Sequence, residues 1–254
     1  MNFPRFLTGL ILISTLFFAC SKAPVLTNQG DSAKSDLLFE RGMKFFDAGK
    51  FDKAATVFNE FVYSYPYHED IAKGTFMLAE SYFKDGQFEL ASMEYRRISQ
   101  RFEDSEYAER AELMIGESYL SASPRTDLEQ DKTKTALEYF KDFLTFRPGS
   151  EFVPMAEDGI RRCREKLAKK EFDIALSYFK LTQFDAAILY CDLIEEEYGG
   201  TIYVPRARLL KARSLIGLEK IEDARPILNE LADSSATDET SKEATKLLKK
   251  IDQR

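Results

Sequence analysis

The sequence predicts an all-α fold in which helical hairpins repeat along the chain. Only 12 Gly and 8 Pro occur among the 254 residues, and charged residues make up 31% of the chain. Glu and Lys dominate the charged set, and both favour helices. Small and aromatic residues recur at helical spacing in successive segments, each time around a short polar turn. Hydrophobic residues account for 44% of the chain, enough for a continuous stack of small cores.

The first nineteen residues predict an export signal. Arg5 supplies a positive charge, and the segment from Phe6 to Ala19 then runs without a charged residue. As a helix this segment rises only about 21 Å, which is shorter than the roughly 30 Å hydrocarbon core of a bilayer. We therefore interpret residues 1–19 as a signal peptide and not as a membrane-spanning helix. Small Ala19 precedes Cys20 and a polar stretch follows, an arrangement that resembles the lipobox of bacterial lipoproteins.

Residues 20–34 are predicted to form a lipidated, flexible tether. The resemblance to a lipobox implies lipidation of Cys20, and the alternative is ordinary cleavage beside a small residue. Pro24, Gly30 and small polar side chains give the stretch no apolar period. By resemblance to lipoprotein sorting, Ser21 directly after the cysteine points to the outer membrane. We expect the folded domain to lie at its periplasmic face, anchored by lipid.

Residues 35–148 predict three helix-turn-helix units, with an insertion near residues 121–134 inside the third. The spacing lies near the tetratricopeptide period of about 34 residues. In the first unit small and aromatic residues alternate, and a proline ends the second helix; these residues are Gly42, Phe45, Ala54, Phe58 and Pro66. Small residues let two helices approach closely, and the aromatic residues fill the space between units. Ala79, Tyr82, Ala91 and Tyr95 repeat the pattern in the second unit.

Residues 149–232 predict a linking helix followed by the fourth and fifth units. The fourth unit carries Ala175, Tyr178, Ala187 and Cys191, and the fifth carries Ala212, Leu215, Ala224 and Leu228. Residues 233–254 are predicted to contain a capping helix, because the end of a repeat array must face water. We therefore expect a right-handed tetratricopeptide-repeat superhelix of about five units.

A lipobox, a short tether, repeat units of this length and an insertion in the third unit together resemble the BamD lipoprotein family. The local marks are FNEFVYSYPYHEDIAKGTFMLAESYF, ALEYFKDFLTFRPGSEFVPMAEDGIRRCREKLAKKEFDIALSYFK and AAILYCDLIEEEYGGT. This resemblance implies a component of the machinery that assembles β-barrel proteins in the outer membrane. Its implied partners are the barrel component, which carries periplasmic repeat domains, and unfolded outer-membrane protein clients. The sequence departs from the family at Gly199 and Gly200, where a proline is common.

The sequence contains no motif that indicates catalysis, metal binding or nucleic-acid binding. With His68 as the single histidine and no CxxC spacing, a thiol-imidazole metal site is not expected, and neither is any cofactor. No nucleophile elbow or phosphate-binding loop occurs. The net charge of −7 and the interleaved basic and acidic residues argue against nucleic-acid binding. We expect a binding scaffold and no enzyme.

A concave groove along the first helices is the candidate client-binding site. The candidate residues recur at corresponding positions of the first two units; they are Phe39, Met43, Phe46, Phe76, Glu80 and Phe83. In the fourth unit the same positions hold Phe172, Leu176 and Phe179. The alternative is that these aromatic residues only pack against adjoining helices. Two other functions stay open: a periplasmic repeat lipoprotein of envelope or cell-division coordination, and a carbohydrate-binding uptake lipoprotein, which is disfavoured by the lack of Trp.

Overall fold

The computed structural model describes residues 29–233 and 239–253, and this part of the chain is helical throughout. The predicted signal peptide and Cys20 lie outside it. The helices, in chain order, are α1 (Gln29–Asp47), α2 (Phe51–Ser64), α3 (Ile71–Lys84), α4 (Phe88–Arg101), α5 (Ala108–Ser121), α6 (Asp131–Phe146), α7 (Val153–Lys180), α8 (Phe184–Glu197), α9 (Tyr203–Gly217), α10 (Ile221–Asp233) and α11 (Glu239–Ile251).

Each helix packs antiparallel against the next one along the chain, as expected for stacked hairpins. Helix α7 also packs against α9, and α11 contacts both α9 and α10. The buried residues therefore form a row of neighbouring clusters instead of one central core. The all-α prediction is confirmed, and the serial packing is that of a quasi-one-dimensional repeat array.

The helices pair into five hairpins, which are α1–α2, α3–α4, α5–α6, α7–α8 and α9–α10. In four of these hairpins, the turn between the two helices is closed by the same pair of backbone hydrogen bonds. In the first, the amides of Gly49 and Lys50 donate to the carbonyl oxygens of Phe46 and Phe45, at 2.9 Å each. This pairing is the Schellman motif, which requires a left-handed residue after the helix. Gly49 and Gly86 supply it at φ 69° and 80°. Thr182 and Glu219 adopt the same conformation at φ 59° and 60°, so the motif recurs where the sequence offers no glycine.

Small residues allow the close helix contacts that the repeat pattern predicts. A Cβ atom added to Gly42 would lie 2.7 Å from the Phe58 ring, so only glycine lets α1 approach α2 at this point. The Phe140 ring of α6 makes the same kind of close contact on two sides, with Gly116 of α5 and with Gly159 of α7. The alanines at the corresponding positions are fully buried, among them Ala54, Ala91, Ala187 and Ala224.

The predicted linking helix and the first helix of the fourth unit form one continuous helix. Helix α7 runs unbroken for 28 residues, Val153–Lys180, and its two halves pack in different hydrophobic clusters. Its first part packs against α6, and its second part is the first helix of the α7–α8 hairpin. Between Cys163 and Ala175 the sequence holds no Gly or Pro that could end the helix, and the buried residues continue through Leu167 and Ala168.

Two other boundaries differ from the sequence expectation. Helix α1 begins at Gln29, so the last residues of the predicted tether are helical, because residues 31–41 contain no Pro or Gly that would stop the helix from extending upstream. Helix α6 begins at Asp131, so residues 131–134 of the predicted insertion belong to a helix. The loop before it is anchored by buried Gln130, whose amide donates to the carbonyl oxygens of Arg125 and Leu128.

Candidate binding surfaces

The six candidate groove residues of the N-terminal half lie on α1 and α3, the first helices of two consecutive hairpins. Phe39 is half-buried and makes edge-to-face contacts with Phe58 and Phe61, at ring-centroid distances of 5.7 and 5.5 Å. The ammonium of Lys73 lies 5.1 Å from the centroid of the same ring. Phe39 therefore joins α1 to α2 and α3, which is the packing role that the sequence left open.

Phe76 and Glu80 are buried, with 5% and 7% of their surface exposed. Phe76 packs against the rings of Tyr95 and Tyr107. The hydroxyl of Tyr95 donates a 2.6 Å hydrogen bond to the Glu80 carboxylate. Burial, together with the negative charge of Glu80, raises the pKa of Tyr95. In this structure both candidates contact neighbouring helices and do not face an open groove.

Arg110 completes this network from the third hairpin. Its guanidinium lies 3.7 Å from the Glu80 carboxylate and 5.2 Å from the centroid of the Phe76 ring. A buried carboxylate needs such partners, because an unpaired charge in an apolar core is costly. Glu80 is thus a connector between the second and third hairpins.

Met43, Phe46 and Phe83 are half-buried and form the accessible part of the predicted N-terminal groove. Phe46 meets Phe51 edge to face at 5.3 Å, and Phe83 meets Phe88 in the same way at 5.3 Å. The equivalent contact recurs in the fourth hairpin between Phe179 and Phe184, at 5.6 Å. Each pair straddles the turn of a hairpin, so the recurring aromatic residues both close the turn and leave part of a ring open to solvent.

A second groove lies in the C-terminal half, between the second part of α7, α9 and α11. It contains an open cavity of about 540 Å³. Its apolar side chains come mainly from α7 and α9; they are Phe172, Leu176, Ile202, Pro205, Leu209 and Leu210. Two of these, Phe172 and Leu176, stand at the fourth-unit positions that the repeat pattern marked as groove-lining. Ile202 is 54% exposed and leaves apolar surface at the mouth of the cavity.

Charged side chains form the rim of this C-terminal groove. Arg206 and Arg213 project from α9, and Glu239 and Glu243 project from α11. Arg213 lies 4.9 Å from the centroid of the Phe179 ring and 3.6 Å from the Glu243 carboxylate, so it is held in place. Repeat spacing did not single out Arg206 or Arg213, although they lie two helical turns apart on one face of α9.

Among the described residues, no group of three or more His, Cys, Asp or Glu side chains has an arrangement that could hold a metal ion. Cys163 and Cys191 are free and buried, and burial raises the pKa of each thiol to about 12. Such thiols stay protonated and behave as small apolar side chains.

None of the helices within residues 29–233 and 239–253 has the length and apolar character needed to span a bilayer.

Comparison with known proteins places this arrangement in a family. The sequence matches the profile of the YfiO family, described as outer membrane lipoprotein, over residues 31–228. The chain belongs to this outer membrane lipoprotein family. The match runs from α1 into α10, and the resemblance to the BamD lipoproteins drawn from the sequence is thereby confirmed.

Two curated relatives are similar over most of the chain, and both are named outer membrane protein assembly factor BamD. The protein from Caulobacter vibrioides is 24% identical over 220 residues, covering 85% of this chain and 72% of its own length. The protein from Rickettsia prowazekii is 24% identical over 232 residues, covering 86% of this chain and 87% of its own length.

Among solved structures, distant helical-repeat proteins align with this lipoprotein. The TPR2AB domain of yeast Sti1, solved as a complex with pHSP90, is 17% identical, covers 78% of this chain and 89% of that chain, and gives a TM-score of 0.39. A thermophilic TPR protein of Thermus thermophilus is 14% identical, covers 84% of this chain and 98% of that chain, and gives a TM-score of 0.36.

Proposed function

We propose that this lipoprotein is a non-catalytic scaffold of the machinery that assembles β-barrel proteins in the outer membrane. Its membership of the outer membrane lipoprotein family and its similarity to two assembly factors support this role. The observation that carries the proposal is the C-terminal groove, an apolar cavity of about 540 Å³ with charged residues at its rim. Polypeptide partners are recognised by this combination of apolar anchoring sites and a few positioned polar groups.

In this proposal the C-terminal groove docks the barrel component, which carries periplasmic repeat domains. A folded partner would insert an apolar side chain between Leu176 and Ile202 and pair acidic groups with Arg206. Arginine suits this position because its planar guanidinium binds carboxylates in a bidentate manner. Interface energy usually concentrates in a few such buried anchors surrounded by a polar rim.

The N-terminal half binds unfolded clients through the partly open side chains of Met43, Phe46 and Phe83. Aromatic and methionine side chains adapt to varied apolar sequences, which a client-binding surface requires. Phe76 and Glu80 support this surface from behind by fixing α3 against α4 and α5. Lipidation of Cys20 anchors the scaffold at the periplasmic face, and Cys20→Ser is expected to release the processed chain from the membrane fraction.

The docking half of the proposal is tested by co-purification from detergent-extracted outer membranes. Ile202→Asp places a charge at the mouth of the cavity and should reduce recovery of a β-barrel protein with periplasmic repeats at least tenfold. Leu189→Asp is the matched control, because Leu189 of α8 is 67% exposed but does not line the cavity. Equal recovery of the barrel protein by both variants would show that the C-terminal groove is not the docking site.

The client half is tested with peptides from unfolded outer-membrane proteins. Phe46→Ala together with Phe83→Ala should weaken peptide affinity, while Phe146→Ala should leave it unchanged. Phe146 lies on α6, is 76% exposed and takes no part in the N-terminal groove. If the double variant keeps its peptide affinity and its helical content, clients bind elsewhere.

A further inference from the structure

The solvent-facing side of α11 carries four basic side chains and one acidic side chain. The exposed residues of α11 are Glu239, Lys242, Thr245, Lys246, Lys249 and Lys250. At 3.6 residues per turn, the four lysines fall within an arc of about 100°. None of the four forms an ion pair with any described residue. We name these four lysines the α11 basic face.

The acidic residues near α11 are neutralised by contacts with the body of the protein. Glu243 lies 3.6 Å from the guanidinium of Arg213 on α9, and Asp252 lies 2.5 Å from that of Arg225 on α10. Leu247, Leu248 and Ile251 pack against the same two helices. Glu239 is the one exposed acid of the helix and lies in its first turn, where it stabilises the helix dipole.

Helix stability alone does not account for this arrangement. Lys249 and Lys250 lie in the last turn, where a positive charge is favourable, but Lys242 and Lys246 do not. Lys242, Lys246 and Lys250 follow one another at intervals of four residues, a spacing at which like charges repel. Some positions four residues apart on α7 instead pair opposite charges, as in Arg161 with Glu165 and Lys169 with Asp173. The basic face is maintained in a chain whose net charge is −7.

We propose that the α11 basic face binds the anionic phospholipid headgroups of the membrane to which this lipoprotein is attached. The family places the chain at a membrane, so an anionic surface is always nearby at high effective concentration. Lysine ammonium groups on flexible stems suit a fluid array of phosphates, since they need no fixed partner geometry. Each lysine close to an anionic surface contributes on the order of a fivefold gain in the contact equilibrium. The contact fixes the orientation of the scaffold relative to the bilayer.

The test uses the full lipid-anchored chain, purified in detergent and reconstituted into vesicles. Thr245→Cys places an environment-sensitive fluorophore beside the basic face, and Cys163 and Cys191 are too deeply buried to compete for the label. Spin-labelled lipids that quench at the headgroup level then report contact between α11 and the bilayer. Quenching is expected on vesicles with a third of phosphatidylglycerol, and its loss is expected on pure phosphatidylcholine and in 0.5 M NaCl, because salt screens exposed charges.

Charge variants separate this proposal from general electrostatics. Changing all four lysines to Gln should lower the ratio of bound to free α11 at least tenfold, whereas changing them to Arg should preserve it. The matched control changes four exposed lysines of other helices to Gln; these are Lys44, Lys53, Lys84 and Lys141. The control alters net charge equally and should leave quenching intact. Equal loss in both Gln variants overturns the proposal, as does quenching that is absent or indifferent to anionic lipid, the result expected if the face instead binds an acidic protein.

Discussion

The Phe140 ring, held between two glycines, provides a prediction whose sign depends on the structure. At an exposed position inside a helix, a Gly→Ala substitution stabilises a protein by about 1 kcal/mol, because alanine has the higher helix propensity. Here the new Cβ atom would lie 2.6 Å from the Phe140 ring, which cannot retreat because Gly116 holds its other edge at 2.9 Å from the equivalent position. Overpacking of this kind costs about 1–3 kcal/mol. Gly159→Ala should therefore destabilise the protein, by about 1 kcal/mol net.

The same substitution should change sign once the ring is removed. Phe140→Ala is expected to cost about 3–5 kcal/mol, because Phe140 is fully buried. In that background Gly159→Ala no longer meets a ring and should stabilise by about 1 kcal/mol, giving a coupling near 2 kcal/mol in a double-mutant cycle. Urea unfolding followed by circular dichroism measures the free energies, and hydrogen exchange of α6 checks them locally, since repeat arrays can unfold in segments. Stabilisation by Gly159→Ala in both backgrounds would refute the close contact.

Two further predictions concern buried polar groups. Tyr95→Phe removes the hydroxyl that donates to Glu80 and should lower the free energy of unfolding by about 1.5–3 kcal/mol, as measured by urea unfolding; an unchanged midpoint would mean that the bond contributes nothing net. Because burial raises the pKa of Cys163 and Cys191 from 9.0 to about 12, both thiols favour the folded state below pH 9 and this stability is lost as the pH rises towards 12. Thiol titration at pH 8 should find both cysteines unreactive until denaturant is added, and rapid reaction in the native state would contradict their burial.

Most of the fold was predictable because its rules are local and repeat along the chain. Gly49 and Gly86 mark the hairpin turns directly, and the small residues opposite aromatic rings mark the helix contacts. Thr182 and Glu219 close equivalent turns without glycine, so spacing predicted those turns where composition did not. The continuity of α7 was not predicted, because a repeat pattern implies a turn between successive units, whereas one long helix can contribute to two of them.

The binding surfaces were predictable only in part. Phe172 and Leu176 line the C-terminal cavity as their repeat positions indicate, because the repeat itself fixes which helix face is concave. The burial of Glu80 depends on Tyr95, a partner 15 residues away, and on Arg110 of the next hairpin. The contribution of α11 to the C-terminal rim depends on how the last helix packs across α9. Helical periodicity carries no information about such contacts between elements.

The most direct test of a polypeptide-binding scaffold is site-specific photo-crosslinking in living cells. A photoreactive amino acid replaces Ile202, whose side chain lies at the mouth of the C-terminal groove, or Leu189, which is similarly exposed outside it. The probe at position 202 is expected to crosslink to a β-barrel outer-membrane protein with periplasmic repeats, and the probe at position 189 is not. Absence of any protein crosslink at position 202, or the same product in equal yield at both positions, would contradict the assignment of this groove as a docking site.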